Sequence, residues 1–194
     1  MSESLNQNFN HLKVHTQYSI CEGAAKIDEL HEYCKSNKIK SLGISDTSNL
    51  CGALEFAEKI SKSGTQPIIG TQINFKLNDT TGLLPLFALN ETGYKNIIEL
   101  SSNSYLENDE LSDPHVNFDE LLKNSDGVSV FSGTVLGLFG KLFDKGKFTE
   151  INEIYSKIKN VFGDRFYLEI QRHNDTNENG FEKFNLKQSV ELEI

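Results

Sequence analysis

The sequence contains no tryptophan and only one methionine, three prolines and three cysteines among its 194 residues. The cysteines (Cys21, Cys34 and Cys51) are odd in number and form no CxxC pair. A disulfide framework would need paired cysteines, and structural zinc sites often use closely spaced ones. This usage predicts reduced thiols and a cytoplasmic protein.

Long apolar runs and excess positive charge are also absent. No apolar run approaches the ~18 residues that span a bilayer, and MSESLNQN lacks the basic-then-apolar pattern of a signal peptide. We therefore expect no membrane association. The net charge of −9 argues against a large DNA-binding surface on this chain itself, because nucleic-acid binders usually carry a basic patch.

What the sequence does contain is a regular succession of apolar patterns. In FNHLKVHTQYS, alternation predicts a first strand over residues 9–15, followed by a loop. Five further strands are predicted at 40–45, 67–75, 83–89, 127–131 and 166–171. Helices are predicted at 24–36, from Ala53 to near Gly64, around 94–105, at 118–122 with an Asn117–Glu120 capping box, at 148–161 and from about Asn179. The glycines Gly133, Gly137 and Gly140 predict a loose turn rather than a phosphate-binding loop, because no GxxxxGKS pattern is present.

Alternating strands and helices predict an α/β domain with a mainly parallel sheet over residues 9–194, preceded by a disordered tail at 1–8. Functional groups in such folds gather at the C-terminal ends of strands. Those ends carry His15, Asp46 and His173, and Gln72 lies within the third strand. Their convergence would suit a metal or phosphate site.

Five segments resemble a known family: HLKVHTQYS, GISDTSNLCGALEF, PIIGTQINF, LNETGYKNIIELSSNSYLE and GDRFYLEIQRH. They are similar, in order, to the N-terminal PHP (polymerase and histidinol phosphatase) domain of bacterial replicative DNA polymerase III alpha subunits. The resemblance implies a distorted seven-stranded (β/α) barrel. About six strands are expected here, with the barrel incomplete at its C-terminus.

The resemblance also implies a set of family ligand positions for metal ions. In this sequence they are occupied by Lys13, His15, Asp46, Thr47, Gln72, Leu83, Thr134 and His173. Only His15, Asp46 and His173 keep the family's residue. Since a protonated lysine repels a cation and catalytic clusters need several anionic or neutral donors, we expect no metal, no catalytic residue and a vestigial site. The alternative is an active metal-dependent phosphoesterase or proofreading 3′–5′ exonuclease.

Bland roles compete with functional ones at several of these positions. Lys13 could take the place of a metal and form a buried ion pair with Asp46, or it could be a solvated lysine at a strand end. His15 and His173 are expected to be hydrogen-bonded remnants. The SDTSNL segment favours an N-cap for the helix at Ala53 over a polar site. We expect Cys51 to be a small packing residue rather than a nucleophile.

For the parent protein, the resemblance implies a DNA-directed DNA polymerase that uses magnesium and acts in DNA replication. This region would then be a structural module without a cofactor of its own. Its expected partners are the polymerase core of the same chain, the proofreading exonuclease subunit and other replication holoenzyme subunits. DNA would be contacted through the parent polymerase only. A free-standing domain without a polymerase is the remaining alternative.

Overall fold

The computed structural model describes residues 9–108 and 112–170. Within these residues the chain forms an α/β fold with one sheet. The helices are α1 (Ile27–Asn37), α2 (Ala53–Lys62), α3 (Glu91–Leu106), α4 (Phe118–Lys123), α5 (Leu138–Asp144) and α6 (Phe148–Phe162). The strands are β1 (Ser41–Thr47), β2 (Gln66–Leu77), β3 (Thr80–Ala88), β4 (Val116–Asn117), β5 (Val128–Phe131) and β6 (Phe166–Tyr167).

The longer helices confirm the apolar periodicity in the sequence. Helix α6 buries Ile151, Ile154 and Ile158, which follow one another at three- and four-residue spacing. Helix α3 begins after Asn90, whose side-chain oxygen accepts a hydrogen bond from the Gly93 amide at 2.9 Å. The helix predicted from about Asn179, the tail at 1–8 and His173 lie outside the described residues.

The six-stranded sheet is mixed, so the prediction of a mainly parallel sheet was wrong. Its order is β1-β2-β3-β5-β6, with β4 pairing beside β2. Strands β2 and β3 pair antiparallel because only Asn78 and Asp79 separate them, and so short a connection permits only a hairpin. Asn78 has φ 53°, a left-handed conformation that asparagine tolerates in tight turns. Strands β1 and β2, and strands β5 and β6, pair in parallel.

The predicted first strand is not a regular strand. Residues 9–15 run beside β1, and their carbonyls accept only spaced hydrogen bonds: Gly43 N–H donates to His11 at 2.7 Å, and Ser45 N–H donates to Val14 at 2.9 Å. Close approach requires glycine at 43, where a Cβ atom would lie 2.6 Å from the Leu12 carbonyl oxygen. The alternation of apolar residues therefore indicated an extended segment at the sheet edge. This segment is not a strand because it lacks a continuous ladder of backbone hydrogen bonds to β1.

Three local predictions also need correction. Asn117 is the N-cap residue of α4 but its side chain makes no capping hydrogen bond, and Glu120 pairs with Lys123 instead of closing a capping box. The SDTSNL segment does not cap α2 through a side chain, since the N-cap residue is Gly52. The glycine-rich passage is not only a loose turn, because it leads into α5, which contains the buried Gly140.

Two groups of buried apolar side chains flank the sheet. The smaller one joins α1, β1 and α2 through residues such as Ile27, Leu42 and Phe56. The larger one joins β2, β3 and β5 to α3–α6. These two cores position the strands and loops that line the pocket described next.

Candidate functional site

A pocket of about 340 Å³ lies where the N-terminal segment meets β2, β3 and the loop before α5. Its lining includes five of the eight family ligand positions: Lys13, His15, Gln72, Leu83 and Thr134. Gly133, Leu136, Gly137 and Glu22 complete it. The structure thus brings together residues from distant parts of the chain that the sequence analysis had grouped. Asp46 and Thr47 adjoin this pocket, and His173 lies outside the described residues.

The polar side chains of this pocket hydrogen-bond to one another and to residues beside the pocket. Gln72 Nε2 lies 3.1 Å from Thr47 Oγ1, which in turn donates to Glu22. The same amide nitrogen lies 3.4 Å from Nε2 of His15. An amide nitrogen can only donate, so the Nε2 lone pair of His15 accepts this hydrogen bond from Gln72. A glutamate at position 72 could not make these bonds.

The other ring nitrogen of His15 is also engaged. Its Nδ1 lies 3.3 Å from the Ser19 hydroxyl, which donates its own proton to Asp46 at 2.7 Å. Ser19 must therefore accept at the His15 contact, which places the ring proton on Nδ1. His15 is a hydrogen-bonded residue here, as predicted.

Asp46 lies beneath the loop that follows the N-terminal segment. It is 1% exposed, and its carboxylate accepts from the Thr16 amide at 2.6 Å, the Thr16 hydroxyl at 2.7 Å and Ser19. Hydrogen bonds from neutral donors, rather than a cation, thus compensate the burial of this carboxylate.

The expected Lys13–Asp46 ion pair is not the one that the structure contains. Lys13 instead pairs with Glu169 at 2.9 Å, and the two side chains are 19% and 11% exposed. The physical reason is that Thr16 and Ser19 already satisfy Asp46, whereas Glu169 projects from the chain just after β6. The alternative, a solvated lysine at a strand end, is also wrong, because the Lys13 side chain is mostly buried.

Burial lowers the pKa of His15 below its ordinary value, and the neighbouring Lys13 ammonium acts in the same direction. The carboxylates of Glu22, Asp46 and Glu169 oppose this effect without reversing it. The surroundings of His15 therefore favour its neutral form.

Sequence reasoning missed two carboxylates of this region, Glu22 and Glu169. Glu22 lies in the loop after the N-terminal segment, where no residue pattern marked it. Glu169 follows β6, but the predicted strand extended to residue 171, so the rule that functional groups collect after strands pointed past it. Cys51, expected to pack, is exposed.

Comparison with known proteins identifies the family of this chain. The PHP domain family matches residues 11–173. The chain belongs to the PHP domain family. It is 38% identical over 186 residues to DNA polymerase III subunit alpha of Caulobacter vibrioides, covering 89% of this chain and 16% of that protein. Identity to the Rickettsia felis subunit of the same name is 34% over 187 residues, covering 96% of this chain and 16% of that protein.

A third relative, DNA polymerase III subunit alpha of Borreliella burgdorferi, is 36% identical over 181 residues, covering 88% of this chain and 16% of that protein. The PHP chain thus spans about one sixth of the length of these curated relatives. An amidohydrolase structure from Chromobacterium violaceum is 15% identical, with a TM-score of 0.38, and covers 48% of this chain and 34% of that one. A TM-score of this size does not establish a shared fold.

The donors in the PHP pocket do not fit the metal cluster that the family implies. In the described ranges, 9–108 and 112–170, no three His, Cys, Asp or Glu side chains lie close enough to hold an ion. Both nitrogens of His15 and both oxygens of Asp46 are hydrogen-bonded. Lys13 adds a positive charge, and Leu83 offers no donor atom. None of the helices in the described part of the chain has the length and apolarity that crossing a bilayer requires.

Proposed function

We propose that this chain is the PHP-domain region of a bacterial replicative DNA polymerase III alpha subunit and serves as a structural and protein-docking module without catalysis of its own. The parent protein would be a DNA-directed DNA polymerase that needs magnesium in a polymerase core outside this region. Identities of 34–38% to three DNA polymerase III alpha subunits support the assignment to replication.

The observation that carries the non-catalytic role is the state of the pocket's polar groups. Metal-dependent hydrolysis needs donors whose lone pairs point at an ion and a ligand site left open for water. Here Gln72, Thr47 and Glu22 hydrogen-bond in a chain, and His15 is held from both sides. Lys13 would repel a divalent ion entering the same space.

Docking is the role that remains for such a domain in a multi-subunit replicase. We propose the proofreading exonuclease subunit and the polymerase core of the same chain as its partners, together with other holoenzyme subunits. The charge of −9 favours protein partners over direct contact with DNA, which would be bound through the parent polymerase. The site of action would be the cytoplasm.

Two measurements on the full-length parent protein test this proposal. The first is hydrolysis of p-nitrophenyl phosphate and of 3′-labelled DNA with zinc, manganese or magnesium present, compared with a His15→Ala variant. We expect the two proteins to have the same background rate, because His15 performs no chemistry. Hydrolysis that chelator and His15→Ala both abolish would support the phosphoesterase or exonuclease alternative.

The second measurement is size-exclusion chromatography of the parent protein mixed with the exonuclease subunit of the same organism. We expect co-elution, and loss of co-elution when the PHP region is deleted. If the deletion leaves co-elution unchanged, the docking role is wrong. DNA synthesis by the deletion variant on a primed template controls for folding of the polymerase core.

A further inference from the structure

We propose that the Lys13 ammonium is the built-in cation of the PHP pocket and that its ion pair with Glu169 fastens one edge of the open sheet to the other. This inference goes beyond the proposed function, because it requires neither a polymerase nor an exonuclease. It concerns how the same pocket is held together.

The positions of the two residues in the sheet carry the proposal. Lys13 belongs to the segment that runs beside β1, the first strand in the sheet order. Glu169 follows β6, the last strand in that order, by two residues. Their 2.9 Å contact joins residues 156 positions apart. The sheet therefore curls far enough for a pair of opposite charges to connect its two edges.

The segment that carries Glu169 is itself anchored. The Glu169 amide donates to the Ser132 hydroxyl at 3.0 Å, and the Ser132 amide donates to the Tyr167 carbonyl at 2.9 Å. The Glu169 end of the pair is thus fixed to the C-terminal end of β5. The segment of Lys13, by contrast, is attached to β1 by the spaced hydrogen bonds at Gly43 and Ser45.

Burial makes this pair different from the surface ion pairs of the chain. Its side chains are 19% and 11% exposed, whereas those of Lys95 and Glu91 on α3 are 69% and 82% exposed. Exposed pairs contribute little because water screens them, but removing one partner of a buried pair leaves a charge without compensation. Lys13 also lines the pocket, where its charge takes the place of the cation that other PHP domains bind.

The first test is a double-mutant cycle in the full 194-residue chain, with EDTA present so that bound metal cannot contribute. The variants are Lys13→Met, Glu169→Gln and both together, and the readout is urea unfolding. We expect a coupling of about tenfold in the unfolding equilibrium constant. Lys95→Met is the matched control, for which we expect less than about a threefold effect. Additive effects at positions 13 and 169 would overturn the proposal.

A local readout separates edge fastening from general stabilisation. Amide hydrogen exchange at Gly43 and Ser45 reports whether the N-terminal segment still covers β1. In Lys13→Met we expect exchange there to quicken about tenfold, while the β2–β3 hairpin amides keep their protection. Lys13→Arg retains the cation and should preserve protection at both places. Equal quickening throughout the sheet, or none at Gly43 and Ser45, would contradict edge fastening, whatever the outcome of the docking experiments.

Discussion

At the scale of single residues, Asp46 is held in place by hydrogen bonds from Thr16 and Ser19. A carboxylate at this position suits a metal in other members of the family. Here it stabilises the loop after the N-terminal segment, because it satisfies a backbone amide and two hydroxyls that would otherwise be buried unpaired. The loop in turn positions His15 at the pocket.

We expect Asp46→Asn to destabilise the protein by about 2 kcal/mol. The two carboxylate oxygens accept three hydrogen bonds, and the substitution replaces one of these oxygens with an NH₂ group, which can only donate. Urea unfolding measures the change. Asp126→Asn, at an exposed position, is the matched control and should shift stability by less than about 0.5 kcal/mol. A small effect at Asp46 would mean that the loop holds its conformation without the carboxylate.

His15 makes stability depend on pH. Burial lowers its pKa in the folded state, so the unfolded chain binds a proton more readily. The stabilisation is complete above the unfolded value of about 6.5 and is lost as pH falls below it toward the folded pKa. We therefore expect the urea midpoint to decline more between pH 7.5 and pH 5.5 in the natural protein than in His15→Gln.

A substitution of the exposed His11 is the matched control. His11→Gln should leave the difference between the two pH values as it is in the natural protein. If His15→Gln and the natural protein lose stability in parallel, then His15 is not buried in its neutral form.

The resemblance to the PHP family predicted five residues of the pocket lining but not their hydrogen bonds and ion pairs. Five of the eight family ligand positions meet at the pocket, from the N-terminal segment, from within β2 and β3, and from the loop after β5. The partner of Lys13 was assigned wrongly because Asp46 comes directly after the predicted strand at 40–45, whereas Glu169 falls inside the predicted strand at 166–171. Only the tertiary arrangement shows that Thr16 and Ser19 satisfy the first and leave Lys13 to the second.

At the scale of secondary-structure elements, the start of α3 packs directly on the turn before β5. A Cβ atom at Gly93 would lie 1.8 Å from the Gly127 carbonyl oxygen, which also accepts a hydrogen bond from the Leu89 amide at 2.8 Å. Gly127 has φ 66°, a conformation that glycine adopts at little cost. The structural role of the NETGY segment is thus to start α3 and to pack it closely on the turn before β5, through Asn90, Gly93 and Gly127.

Replacing a glycine by alanine within a helix usually stabilises it by up to about 1 kcal/mol. For Gly93→Ala we expect the opposite, a loss of about 2–4 kcal/mol, because α3 would have to move away from β5. Thermal unfolding measures the change. Glu99→Ala, at an exposed position of the same helix, should have little effect, and a stabilised Gly93→Ala variant would show that this contact is looser than described.

Elements with a strong apolar period were predictable, and short or edge elements were not. Helices α2 and α6 follow their patterns because burial of one face decides them. The N-terminal segment alternates like a strand but lacks a full ladder, and β4 has only two residues, too few for any period. The antiparallel β2–β3 hairpin was foreseeable from the missing crossover helix.

At the scale of the whole molecule, the described residues form an open sheet around a pocket whose polar groups are hydrogen-bonded or ion-paired within the protein. The chain keeps the sequence pattern of the PHP family, whereas its pocket does not offer the donors that a metal cluster needs. A barrel that binds ions can join its strands through them, whereas this chain uses Lys13 and Glu169 for that purpose. In the proposed docking role, the surface of the domain would then not depend on bound metal.

The metal content of the purified full-length protein, measured by mass spectrometry without added metal or chelator, bears most directly on this proposal. We expect zinc, manganese and iron each to fall far below one ion per chain, because the pocket offers a cation and too few free donors. Two or more ions per chain, lost together in a His15→Ala variant, would show instead that the pocket is a working metal centre.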